Sequence, residues 1–310
     1  MPDEKPNDLS RYLAYAGVPS FWRLEQTRDL TDVDIAVMGI PFDIGVSNRP
    51  GSRFGPRAIR DMSLHSGNFH YPWSYDLKER LRLVDYGDVG VGMQTDLTNF
   101  MIRDAFEHAG SILSSGAKLL TLGGDHTIPY GLVRAAKEKH GPISLLHFDS
   151  HQDSESSDGG KAIFHGSFAH DLAAEGTVDA RRSAQVFIRT EMENEFGYNI
   201  IHANEALYLK PSELAERIRG IVGESPVYVT FDIDALDPAY APGTGTPVCG
   251  GPTTFFAREV LRHLAGINVV GADVVEVLPA HDASGITALA AGTIAVDLLY
   301  LMAEGMTKRG

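Results

Sequence analysis

Aspartate and histidine recur in three short stretches of this 310-residue chain, each directly after an apolar run. One is Leu145 to Asp153 (LLHFDSHQD), in which Asp149, His151 and Asp153 stand two residues apart. Alternate side chains of an extended strand share a face. A strand continued through this stretch therefore aims two carboxylates and one imidazole at one point. The second is Val227 to Asp234 (VYVTFDID), with Asp232 and Asp234 on one face and Phe231 and Ile233 on the other. In the third, Leu119 to His126 (LLTLGGDH), an apolar strand stops at a glycine pair and delivers His126. All three lie at the carboxyl ends of predicted strands, where open α/β sheets place their ligands.

The six ligand candidates are therefore His126, Asp149, His151, Asp153, Asp232 and Asp234. Carboxylates gathered this closely cannot all ionise unless cations neutralise them. Four anions and two imidazoles suit two divalent ions. The set offers no thiolate, which favours an oxygen-preferring metal such as manganese over structural zinc. Two ions about 3.5–4 Å apart can activate a shared water as a nucleophile. A single Asp-x-His-x-Asp or Asp-x-Asp is ordinarily a capped, polar strand end. Recurrence at three strand ends is what raises the dinuclear reading above that one.

The elements that must position these groups alternate along the chain. Residues 1–33 read as an irregular arm with a short helical piece, ahead of a buried strand from Ile35 to Ile40. Gly55-Pro56 opens a helix, with proline suited to a first turn. Leu81 to Tyr86 is a strand, and the apolar spacing from Thr98 to Ser115 predicts a helix. Strands then follow at Lys118–Leu122, Ile143–Asp149, Ala184–Arg189, Val227–Asp234 and Asn268–Val277. Helices fall between or after them at Ile128–His140, Ser167–Glu175, Pro211–Val222, Thr253–Leu264 and Ile286–Ala303. Eight or so strands interleaved with helices imply a parallel sheet covered on both faces. No repeat or linker interrupts residues 1–310, which read as one domain.

Composition sets limits. A formal charge of −14, from 41 acidic and 27 basic residues, argues against nucleic-acid binding and weakly favours a cationic substrate. Cys249 is the single cysteine, so no internal disulfide forms, as suits a reducing cytoplasm. Met1 to Pro6 carries no signal-peptide core, and no apolar run approaches the roughly 18 residues of a membrane span.

Other residues are candidates with two readings each. His165, at the end of the loop after Asp153, is either a proton carrier or a capping or surface histidine. Glu276 ends a strand and either takes a guanidinium as a bidentate partner or forms an ordinary salt bridge. Asp125 is a partner for a ligand or a helix cap. His147, mid-strand, is a core histidine or supports a ligand. Cys249 has no evident base and reads as inert. The glycine-rich Gly243 to Pro247 lacks the lysine of a phosphate loop.

Three motifs resemble the signatures of the ureohydrolase (arginase/agmatinase) family: Gly123-Gly124-Asp125-His126, Asp149-Ser150-His151-Gln152-Asp153, and the long run from Phe231 to Gly245 (FDIDALDPAYAPGTG). The likeness extends from about Ile35 to Met302 and is nearest to bacterial agmatinases. It implies a three-layer α/β/α fold around an eight-stranded, mostly parallel sheet, assembled as homotrimers or homohexamers. It implies two manganese ions per subunit. One would be held by His126, Asp149, Asp153 and Asp232, the other by Asp149, His151, Asp232 and Asp234. Asp153 would also help move the attacking water's proton, His165 would match the proton shuttle, and Glu276 would bind the guanidinium. Products would be urea and an amine.

Departures from the family pattern cluster near the site. Ser150 replaces the usual alanine, a change expected to leave ligation untouched. His165-Gly166-Ser167 replaces His-Gly-Thr. Glu155 and Ile163 stand where arginases place asparagines for the amino-acid end of arginine, and neither suits a carboxylate. Agmatine, which ends in an ammonium, fits better, and Lys161 is the one cation in the loop from Ser154 to Lys161. Guanidinobutyrate or guanidinopropionate is the alternative. From other classes, a mononuclear zinc deacetylase would need a different ligand set, and a non-catalytic homologue would be expected to have lost ligands.

Overall fold

Short apolar runs form nine strands in this computed structural model, which describes residues 13–304 and 306 apart from 68–69, 91, 94 and 160–161. They are β1 (Glu25–Gln26), β2 (Ile35–Ile40), β3 (Leu83–Asp88), β4 (Lys118–Gly123), β5 (Ser144–Phe148), β6 (Ala184–Ile188), β7 (Asn199–His202), β8 (Val227–Asp232) and β9 (Val269–Val275). All pairings are parallel, in the order β1-β3-β2-β4-β9-β8-β5-β6-β7. Every residue of β2, β5, β8 and β9 is buried. That is why these segments read as continuous apolar runs and not as alternating ones.

Two cores form, one per face of the sheet. Ile35 and Val37 of β2 enter one cluster, and Ala36, Met38 and Ile40 the other. Helices α1 (Gly55–Ser63), α5 (Ala203–Ala206), α6 (Pro211–Val222), α7 (Thr254–His263) and α8 (Ile286–Ala303) cover the first. Helices α2 (Leu97–Ser114), α3 (Pro129–His140) and α4 (Phe168–Ala174) cover the second. The result is the expected three-layer α/β/α architecture.

The sequence expectation differs from the structure in several places. The sheet has nine strands where eight or so were expected; the two not placed from sequence, β1 and β7, are short edge strands with too few residues to show a period. β5 stops at Phe148 and does not continue through Asp149. Asp153 sits at φ +47°, in the left-handed region, so Asp149, His151 and Asp153 converge through a loop and not by strand alternation. Similarly β8 ends at Asp232, and Asp234 lies in a single 3₁₀ turn from Ile233 to Ala235. In the predicted arm, residues 1–12 lie outside the described residues, while Phe21 and Trp22 are buried against the fold. Helix α8 does reach the 18 residues and hydropathy of a membrane span, but 78% of it is buried inside the protein.

The glycine pair after β4 has a steric cause. The Gly124 amide donates to Ile40 O at 3.0 Å, and a side chain there would meet Phe42 O at 2.4 Å and Ile40 O at 2.6 Å. The chain thus turns tightly against the end of β2, and Asp125 and His126 enter the site. Gly124→Ala should lower stability by about 2 kcal/mol or more, seen as a lower denaturant midpoint with an unchanged slope. A wild-type midpoint would contradict this packing.

Candidate metal centre

The four central strands β4, β9, β8 and β5 end side by side. Their carboxyl ends deliver His126, Glu276, Asp232 and Asp149, the arrangement expected of parallel α/β sheets. His126 Nδ1 lies 3.0 Å from Asp149 Oδ2, 3.0 Å from Asp153 Oδ2 and 3.2 Å from Asp232 Oδ2. Yet this buried nitrogen makes no hydrogen bond in the described structure. Three carboxylate oxygens surround it without the directionality of a hydrogen bond, as ligands do around a shared cation.

The other side of His126 fixes which nitrogen faces that point. The Thr230 hydroxyl donates to Asp273 Oδ1 at 2.6 Å, so it accepts from His126 Nε2 at 2.8 Å. Nε2 then carries a proton, and Nδ1 is the nitrogen turned toward the carboxylates.

A second group adjoins the first. His151 Nδ1 lies 3.3 Å from Asp149 Oδ1 and 3.2 Å from Asp234 Oδ2. Asp149 therefore faces both groups, one oxygen to each. Asp232 belongs with His126, and the structure does not gather it as tightly around His151 and Asp234. His147 is close enough to count as a ligand by distance, but its hydrogen bonds exclude that role. Gln185 Nε2 donates to Gln152 O at 2.6 Å and contacts His147 Nδ1 at 3.1 Å, so Nδ1 accepts. His147 Nε2 then donates to Asp149 Oδ2 at 2.7 Å. It supports a ligand.

The electrostatics show how much charge is confined here. Burial alone would push the His126 pKa down, but Asp149, Asp153 and Asp232 together raise it well above its usual value. His151 is likewise pushed up to about 12, burial being outweighed by Asp149 and Asp234. Burial and the neighbouring Asp234 and Asp149 raise Asp232, and burial and Asp149 raise Asp234. Asp149 goes the other way. Burial opposes its charge, but His147, His126 and His151 overcome that. The site thus favours added positive charge, and the donor set of buried oxygens and imidazoles fits divalent ions.

Glu276 and His165 complete the site. Glu276 is buried at φ +62°. Its Oε1 accepts the His126 amide at 3.0 Å, and its Oε2 has no partner among the described residues. A buried carboxylate oxygen left unpaired is costly unless a cationic ligand arrives. His165 Nδ1 lies 3.2 Å from Glu276 Oε1, and the Ser47 amide donates to its Nε2 at 3.0 Å. Burial would lower the His165 pKa, but Glu276, Asp153 and Asp125 push it up to about 9. Asp125 accepts the amides of Gly45 and Thr127, so it pins the loop that carries Ser47 as well as the turn that carries His126.

His151, Asp153, His165 and Asp232 line a cavity of about 270 Å³. Phe164 and Met192 form apolar wall, and the exposed Glu155 and Glu191 also line it. The predicted loop cation, Lys161, lies outside the described residues.

A profile of the arginase family matches residues 33–300. A protein named agmatinase from Chromobacterium violaceum is 47% identical over 93% of this chain and 89% of its own. The crystal structure of a hypothetical agmatinase from Burkholderia thailandensis superposes with a TM-score of 0.89 at 44% identity, covering 93% of this chain and 91% of that one. The chain belongs to the arginase family. It is a hydrolase acting on guanidino compounds, from a metal-dependent family. The structure of the proclavaminate amidino hydrolase from Streptomyces clavuligerus is similar as well, at 33% identity and a TM-score of 0.88 over 94% of this chain and 99% of that one.

Sequence reading missed Thr230, Asp273, Gln185, Glu191 and Ser47. Asp273 had a signal: it is a lone carboxylate inside the fully buried β9, and it pairs in register with Thr230 of β8. Thr230, Gln185 and Ser47 gave none, because their contacts span 33 to 118 residues of sequence.

Loading a chelator-stripped sample with a divalent ion should release protons, since His126 and His151, whose pKa values are raised, must give theirs up to bind it. It should also raise the thermal midpoint, by about 2.7 kcal/mol of stability at a hundredfold excess over Kd. A weakly buffered solution that stays at constant pH, with an unmoved midpoint, would contradict this centre.

Proposed function

We propose that this chain is a dinuclear manganese hydrolase that converts agmatine and water to putrescine and urea. The observation that carries the substrate is the charge of the cavity. Among the described residues, every ionisable group lining it is a carboxylate or an imidazole. Its lining holds buried acid in Asp153 and Asp232, exposed acid in Glu155 and Glu191, and apolar surface in Phe164 and Met192. A molecule with a guanidinium, an apolar spacer and an ammonium complements that set of surfaces. A guanidino acid would bring its carboxylate to two glutamates. The relatives' names point the same way.

His126, Asp149, Asp153 and Asp232 would hold one ion, and Asp149, His151, Asp232 and Asp234 the other. When bound, the pair supplies Lewis acidity and an activated water. Glu276 receives the guanidinium on its free Oε2 and orients the carbon toward the aspartates. Asp153 accepts a proton of the attacking water. His165 protonates the alkyl nitrogen as its bond to the guanidinium carbon breaks, and that nitrogen leaves as the amine. Glu276 holds the His165 ring through Nδ1, so substrate binding and proton delivery share one carboxylate. A cytoplasmic, homo-oligomeric enzyme forming one domain is part of the same reading.

Urea release should be measured with agmatine, arginine, guanidinobutyrate and guanidinopropionate in parallel. Agmatine is expected to dominate, and dominance of a guanidino acid would overturn the substrate. His165→Ala should lower turnover roughly 100- to 10,000-fold with metal content unchanged. Loss of metal in that variant would make His165 a ligand or a structural residue.

A further inference from the structure

Ser150 lies between two ligands, Asp149 and His151, and its backbone is held from both sides. Its amide donates to Asp234 Oδ1 at 3.1 Å. Its carbonyl accepts the Arg189 amide at 3.0 Å and the Thr190 hydroxyl at 3.1 Å. The residue is fully buried. Its hydroxyl is therefore fixed in place by the fold and has no water to turn to.

That hydroxyl is 2.7 Å from Asp234 Oδ1 and 3.0 Å from His151 Nδ1. It carries one proton and can donate to only one of them. The carboxylate is nearer and charged, so it receives the proton. His151 Nδ1 is then left without a donor from Ser150, so nothing from that residue competes with a cation for it. Asp234 becomes asymmetric. Oδ1 is occupied by two donors from one residue. Oδ2 faces His151 Nδ1 at 3.2 Å, with the Thr246 hydroxyl also 3.2 Å away. Rotating the carboxylate breaks both Ser150 contacts.

We infer that Ser150 is a positioning residue for one of the two ions: its hydroxyl locks Asp234 so that Oδ2 alone is presented, beside His151 and Asp149, to a divalent cation. This rests on the dinuclear reading above. It also revises the expectation that serine at this position leaves ligation untouched. The other ion is organised around His126, which Thr230 orients and Ser150 does not contact. Loss of the hydroxyl should therefore act on one ion and spare the other.

The test is calorimetric titration of Mn²⁺ into chelator-stripped full-length protein, wild type against Ser150→Ala. Wild type should show two binding events. The variant should keep one and weaken the other by about 10- to 100-fold, with the thermal midpoint of the stripped protein unchanged. At two equivalents of Mn²⁺, electron paramagnetic resonance should show a coupled pair in wild type and isolated ions in the variant. Two unaltered binding events in Ser150→Ala would overturn the inference. So would equal weakening of both events with a lower stripped midpoint, which would make Ser150 a structural residue. Wild type that binds fewer than two ions would overturn the dinuclear reading itself.

Discussion

Four aspartates are buried within contact of two histidines at the end of one sheet, and like charges at that spacing cannot all ionise in a medium of low polarity. In the protein alone the conflict shifts pKa values: burial and mutual repulsion raise those of Asp232 and Asp234, the carboxylates raise those of His126 and His151, and Asp149 is lowered because three imidazoles face it. Divalent cations meet it better, since each replaces more than one proton's charge and accepts oxygen ligands in the geometry already present. The surrounding fold is arranged to sustain this unfavourable concentration of charge.

Parallel pairing is the means. A parallel sheet sends all its carboxyl ends to one edge, so β4, β5, β8 and β9 can each contribute a ligand or supporting group without any long-range loop. The two apolar layers on its faces keep those strand ends rigid. Supporting hydrogen bonds then decide which atom of each ligand faces inward: Thr230 and Asp273 for His126, Gln185 and His147 for Asp149, Ser150 for Asp234. Some backbone strain falls in the same place. Asp153 and Glu276 both occupy the left-handed region, at φ +47° and φ +62°, a cost that the surrounding contacts must offset.

Most of this architecture was legible in the sequence, for physical reasons. Strands buried on both faces leave apolar runs, and helices between them leave a longer period, so element order and layering follow from pattern alone. All six predicted ligands are brought together. The route was misread: alternation along a strand was expected to aim Asp149, His151 and Asp153, but β5 ends before them and a left-handed residue turns Asp153 inward. Composition does not encode such a turn when the residue is aspartate and not glycine. The supporting residues were illegible for a different reason. Thr230, Gln185 and Ser47 act through contacts between segments far apart in sequence, and a single hydroxyl or amide in a strand carries no period. Ser150 was read by its size, which says nothing of its hydroxyl's contacts with Asp234 and His151.

Substrate choice separates from reaction chemistry in this structure. The groups proposed to hold ions and guanidinium lie mostly buried at or just beyond strand ends, whereas Glu155 and Glu191 are exposed residues lining the cavity. Change at the loops can alter the far end of the substrate without disturbing the charge balance beneath. The central claim concerns that balance, and the most direct measurement is anomalous diffraction at the manganese edge from crystals of metal-loaded protein. The account predicts two peaks about 3.5–4 Å apart, flanking Asp149, one beside His126 Nδ1 and one beside His151 Nδ1. A single peak, or none among these aspartates, would contradict it.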